Sequence, residues 1–218
     1  MVDYVAVRHA MVKSQLRTNE VFEPRLVEAL EAVPREAFVP KSMRAIAYVD
    51  EDLEVAPGRF LMEPRVLALL LQAAHVDPSD VVLDDGCLTG YSTALLARLA
   101  DTVVGLESDA DLAGRADELM SKLGVDNAAV VTGPLAEGYA KQAPYDVILV
   151  GGAVPEVPAR LTDQLAADGC LLTVLRSPGE VGRAAQILRL HGQLSTRILF
   201  DAAVPALHGF ERKPGFVF

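Results

Sequence analysis

The sequence predicts an α/β fold built on a mostly parallel, Rossmann-like sheet, and three features carry that prediction. From Val81 onward, short apolar runs alternate with helical patterns, as βαβ units do. The first run, Val81 to Asp84, passes through a loop bracketed by Gly86 and Gly90 into the apolar helix Tyr91 to Ala100. Near the C-terminus two strand-like runs, RAAQILRL and QLSTRILF, meet across His191-Gly192 as an antiparallel hairpin.

Taken in order, the chain opens with helical spacing at Val5, Ala10, Val12 and Leu16, followed by a second helix announced by Glu23 and Pro24. Pro34 and Pro40 then break the pattern, and the stretch through EDLEVAPGRFLMEP is irregular. Glu63 and Pro64 open a helix, RVLALLLQAAHV, apolar on nearly every side and so expected to be buried on the sheet. Beyond the turn Asp77 to Asp80 come strand Val81 to Asp84, helix Tyr91 to Ala100, strand Thr102 to Glu107, helix Ala110 to Leu123 and strand Asn127 to Thr132. Asp109 is placed to cap the middle helix. A fourth strand, Tyr145 to Val150, precedes a helix from Pro155 to Ala167 and a strand from Gly169 to Leu175. Residues 1–78 are therefore expected to form a helical and loop extension covering the cleft, and residues 79–218 the ligand-binding core of a single domain.

Composition narrows the function. A formal charge of −10 argues against nucleic acid or an anionic membrane as principal partner. No apolar run is long enough to span a bilayer, and MVDYVAVRHAM lacks a signal-peptide pattern, so a cytoplasmic protein is expected. The two cysteines and four scattered histidines supply no metal-binding spacing.

The chemistry concentrates at the glycine-bracketed loop. Glu107 ends the next strand about 20 residues beyond Gly86, where a carboxylate can take both hydroxyls of a ribose, so a nucleoside-containing ligand is expected. A dinucleotide would require glycine where Leu88 and Tyr91 stand, and its phosphates would face Asp84 and Asp85. S-adenosylmethionine carries no phosphate and has a cationic sulfonium and amino group, which suit acidic neighbours. Strand alternation sends Asp84 and Asp85 to opposite sides, and Asp84 is expected to face the ligand. Cys87, at the helix entrance, reads as a small residue in a tight turn rather than a reactive thiol.

The stretches MVKSQLR, VPREAFVP, AYVDEDLEV, VLDDGCLTGY, GLESD, PYDVILVGGA and FDAAVPAL together resemble the protein-L-isoaspartate O-methyltransferase family over nearly the whole chain. That resemblance implies a seven-stranded class I methyltransferase sheet, S-adenosylmethionine as cofactor, and methylation of isoaspartyl carboxylates in damaged proteins, a protein-repair reaction. Carried across by position, the cofactor contacts fall on Asp84, Gly86, Cys87, Leu88, Gly90, Glu107, Ser108, Gly133, Pro134 and Leu135. The acceptor contacts fall on Phe60, Leu61, Arg65, Val204 and Leu207.

Several positions depart from the family pattern. Asp85 replaces an apolar residue, Leu88 a glycine, and Gly133, Pro134 and Leu135 stand for a Gly-Asp-Gly that contacts adenine. Arg59, Phe60, Leu61 and Met62 replace a Gln-Thr-Ile-Ser segment, so Met62 holds the place of the family serine without being itself catalytic. Methylating an ionised carboxylate needs no general base, so loss of that serine removes positioning, worth ~10²-fold in rate. Arg59 is a candidate clamp for the acceptor carboxylate, or else a solvated surface arginine. Two alternatives stay open: a methyltransferase with another acceptor, given the apolar Phe60, Leu61 and Met62, and an inactive S-adenosylmethionine-binding homologue acting as a binding or sensor protein.

Overall fold

The computed structural model describes residues 2–211, so residues 212–218 of the expected core lie outside the described residues. Seven strands form the main sheet: β3 (Val81–Asp85), β4 (Thr102–Glu107), β5 (Ala128–Thr132), β6 (Tyr145–Val154), β7 (Leu165–Leu175), β8 (Arg183–Leu190) and β9 (Gln193–Asp201). Their order is β5-β4-β3-β6-β7-β8-β9, parallel from β5 through β7. The hairpin then makes β8 the antiparallel strand beside the β9 edge. The chain runs outward from β3 to β5 and returns to β6 on the other side of β3. The topological switch point, where ligands bind in sheets of this kind, therefore lies outside the carboxyl ends of β3 and β6.

Helices α3 (Pro64–Ala74), α4 (Tyr91–Leu96) and α5 (Ala110–Leu123) cover one face, where Val66, Leu70, Leu95 and Leu112 pack with Val82, Val103, Leu149 and Leu172. Leu83, Val104, Ile148 and Leu171 point the other way, toward Leu161 of α6 (Ala159–Thr162). The alternation of buried residues along β6 and β7 thus produces two cores, one on each side of a sheet buried on both faces. Asp109 caps α5 as expected, accepting from the amides of Asp111 and Leu112.

The extension is built from α1 (Tyr4–Met11), continued by a π-helical turn to Leu16, and α2 (Pro24–Ala32). Its irregular stretch contains a short antiparallel hairpin, β1 (Leu53–Ala56) and β2 (Arg59–Leu61), turning at Pro57-Gly58. That hairpin is absent from the sequence reading, although Leu53 and Val55 alternate inward. The helix expected from Pro155 to Ala167 shrinks to four residues after Pro158. Strand β7 starts early instead, pairing Leu165 with Tyr145 before a shift of register to Cys170. Gly169 fits this shift, because a Cβ there would stand 2.9 Å from the Tyr145 carbonyl oxygen.

Candidate functional site

The loop after β3 is drawn onto the end of β4. The amides of Gly86 and Cys87 donate to the Leu106 carbonyl at 2.8 and 3.0 Å, and the Leu88 amide donates to Glu107 Oε2 at 2.9 Å. Gly86 and Gly90 are left-handed, with φ of 83° and 92°. Gly90 also lets α5 approach, since a Cβ there would come within 2.9 Å of the Met120 methyl. Leu88 shares the left-handed geometry at φ 57°, which a side chain adopts only under strain.

Asp84 and Asp85 diverge as alternation requires. Asp84 Oδ2 accepts from the hydroxyls of Thr93 and Ser92 at 2.6 and 2.7 Å, tying β3 to the first turn of α4. Burial pushes its pKa up to about 6, against those hydrogen bonds. Asp85 faces the side of Leu83, and neither of its oxygens has a partner among the described residues. Burial, reinforced by the charges of Asp84 and Glu107, drives its pKa well up.

Glu107 is wholly buried at the end of β4. Arg59 reaches it from β2, Nη1 to Oε1 and Nη2 to Oε2, both at 2.5 Å. The remaining donors are the amides of Leu88, Ser108 and Asp109 and the Ser108 hydroxyl. The guanidinium suggested as an acceptor clamp is therefore engaged inside the site, and Arg59 is only 8% exposed.

The other expected residues gather around this pair to different degrees. Phe60, Leu61, Met62, Cys87 and Leu88 line a cavity of about 20 Å³ beside Gly86. Arg59, Val204 and Leu207 border a second cavity of about 10 Å³. Leu207 lies over the loop, 3.0 Å from where a Gly86 Cβ would be, and its amide donates to Ala153 at 2.8 Å. Gly133 donates to the Glu107 carbonyl, and Pro134 opens a turn that brings Leu135 beneath Gly86. Arg65 points elsewhere, pairing with Glu63 at 2.9 Å and Asp50 at 3.5 Å. Cys87 is buried and its thiol is pushed well up by desolvation, as befits a packing residue. No group of residues suited to a metal occurs among the described residues.

One structurally decisive residue was missed. Arg35, from VPREAFVP, is fully buried, donating from Nε to the Ala47 carbonyl at 2.7 Å and from Nη2 to the Met62 carbonyl at 2.8 Å. Its guanidinium lies 4.9 Å from the Tyr91 ring centroid. It thus fixes the end of the hairpin segment against α4. The available signal is its place between the proline-bounded, largely apolar ends of VPREAFVP.

The donor chemistry fits a nucleoside: a carboxylate fixed by backbone amides at the end of β4, beside a left-handed glycine loop, with an unpartnered buried acid nearby. The space in this conformation does not, because a ligand of that size needs on the order of 300 Å³. A larger cavity of about 450 Å³ adjoins the site beyond Leu207, lined by Ala153, Pro155, Arg176, Ala206 and Phe210.

Residues 7–200 match the family model for protein-L-isoaspartate(D-aspartate) O-methyltransferase. The chain is 40% identical to a protein-L-isoaspartate O-methyltransferase of Koribacter versatilis, over 93% of this chain and 90% of that one. It is 35% identical to another from Methanoculleus marisnigri, over 87% and 86% respectively. Among solved structures, a protein-L-isoaspartate O-methyltransferase superposes with a TM-score of 0.80 at 24% identity, covering 93% of this chain and 67% of that one. A structure from Plasmodium falciparum described with the same activity, in complex with S-adenosyl-L-homocysteine, gives 0.80 at 20% identity, covering 96% and 100%. At those identities the two structures speak for the fold.

Proposed function

The chain belongs to the protein-L-isoaspartate(D-aspartate) O-methyltransferase family, and on that premise we propose that it uses S-adenosylmethionine to methylate the free carboxylate of isoaspartyl residues in damaged proteins or peptides. The observation that carries this reading is Glu107, held at the end of β4 by three backbone amides beside the Gly86 to Gly90 loop. Bound there, the cofactor would supply an electrophilic methyl on a positively charged sulfur.

The chain's own residues then have three tasks. Glu107 would take the ribose hydroxyls, with Gly86 and Gly90 giving the loop its shape and Gly133, Pro134 and Leu135 bordering the base. Asp84, with a pKa of about 6, would favour a cationic ligand over an anionic one at neutral pH. Phe60, Leu61, Met62 and Leu207 would exclude water from the reacting oxygen, which matters more here than proton transfer because an ordinary carboxylate is already ionised at neutral pH. A peptide acceptor would approach from the apolar cavity beyond Leu207, whose side chain stands between that cavity and Gly86.

A second reading, a cofactor-sensing homologue without turnover, draws support from the small cavities at Gly86 and from Met62 in place of a hydroxyl. One assay separates the two. Methyl ester formation is measured on an isoaspartyl peptide and on its aspartyl twin, with an active family member as control. Methylation of the isoaspartyl form alone is expected. No methylation of either, with S-adenosylhomocysteine still bound in a calorimeter, overturns the isoaspartyl acceptor and leaves the sensor or an enzyme of another acceptor.

A further inference from the structure

We propose that Arg59 is a built-in occupant of the nucleoside site, a gate whose guanidinium must leave Glu107 before the ribose can bind. This rests on the cofactor reading above. Arg59 donates to both oxygens of Glu107, Nη1 to Oε1 and Nη2 to Oε2, while the other four donors are the amides of Leu88, Ser108 and Asp109 and the Ser108 hydroxyl. A ribose diol donating to both oxygens needs the edge of the carboxylate that the guanidinium fork covers. The two occupants therefore exclude each other.

The surroundings hold the gate shut. Arg59 starts β2, and the turn before it meets the C-terminal segment, where a Cβ on Gly58 would lie 2.7 Å from His208 Nε2. Leu207 closes the other side against Gly86. A paired charge buried this way resists opening, because separating it strands an unpaired ion. If the open form is a minor state, the apparent affinity for ligand falls by that fraction.

Removal of the guanidinium should leave Glu107 in place, since the amides of Leu88, Ser108 and Asp109 still hold it. The test is calorimetric titration of S-adenosylhomocysteine into the full chain, unmodified and as Arg59→Gln, with Arg59→Ala as a second variant should the first fail to fold. Thermal melts check folding. Binding at least roughly ten-fold tighter in the variant is expected, as for a site closed about nine times in ten. Adding Glu107→Gln to the variant should abolish the gain. Equal or weaker binding in the variant overturns the gate and leaves the cofactor reading standing. No binding to any form overturns both.

Discussion

Asp84 and Asp85 are neighbours in β3 and equally withdrawn from solvent, yet Asp84 accepts two hydroxyl hydrogen bonds while Asp85 accepts none among the described residues. Asp85 is therefore a liability to the fold. An unsatisfied buried polar group costs about 1–3 kcal/mol, and a charged one more. Asp85→Val, which fits the apolar neighbourhood of Leu83, should stabilise the chain by about 1–3 kcal/mol. In a chain of this size that raises Tm by about 2–4 °C per kcal/mol. A Tm in thermal unfolding that stays level or falls would count against the assignment.

The same pair sets a pH dependence of known sign. Burial raises both pKa values in the folded state, Asp84 to about 6 and Asp85 well above its ordinary value. Unfolded, both titrate near about 3.9. The folded chain therefore holds protons that the unfolded chain has released, and stability from these groups, complete below pH ~4, is lost as pH rises through ~6 and beyond. The advantage of Asp85→Val over the unmodified chain should accordingly grow between pH ~4 and ~7 in denaturant titrations. An advantage that is constant with pH would mean that Asp85 is not ionising in the way its burial implies.

How far the sequence could reach is visible in these residues. The sheet from β3 to β5 and the hairpin of β8 and β9 follow from local periodicity, and alternation alone separates Asp84 from Asp85. Glu107 at a strand end was equally plain. The Arg59 to Glu107 contact was not, because it joins residues 48 apart through a three-residue strand that an irregular, proline-broken stretch conceals. Local pattern carries no record of such a pairing. Helix α6 is shorter than its sequence pattern for a related reason: Pro155 and Pro158 delay its start, while β7 takes its end for sheet pairing that no local signal announces.

Arg35 supplies a test of the extension's attachment. Replacing it with Met leaves the carbonyls of Ala47 and Met62 buried without donors and removes the contact with the Tyr91 ring. At about 1–3 kcal/mol per lost partner, destabilisation of roughly 3 kcal/mol or more is expected in urea unfolding. Arg35→Lys should rescue little, since one ammonium on a flexible stem cannot reproduce the planar fork that spans both carbonyls. Full rescue by lysine would show that charge alone, not the two-carbonyl bridge, holds the segment.

Met62 tests what the missing hydroxyl is worth. The side chain is 5% exposed and walls the cavity beside Gly86 and Ser92, where the resemblance places a serine next to the reacting carboxylate. Because transfer to an ionised oxygen needs alignment rather than a base, the serine's contribution is orientational. Met62→Ser should then raise kcat toward an isoaspartyl peptide by ~10- to 100-fold, at a cost of about 2 kcal/mol or more in stability from lost packing. The gain should appear in kcat rather than KM, since a positioning contact acts on the aligned complex. It should also combine with Arg59→Gln, which acts on cofactor binding instead. Methyl transfer in Met62→Ser no faster than in the unmodified chain would mean that alignment at this position already comes from elsewhere, with the apolar wall of Phe60 and Leu61 the next place to look.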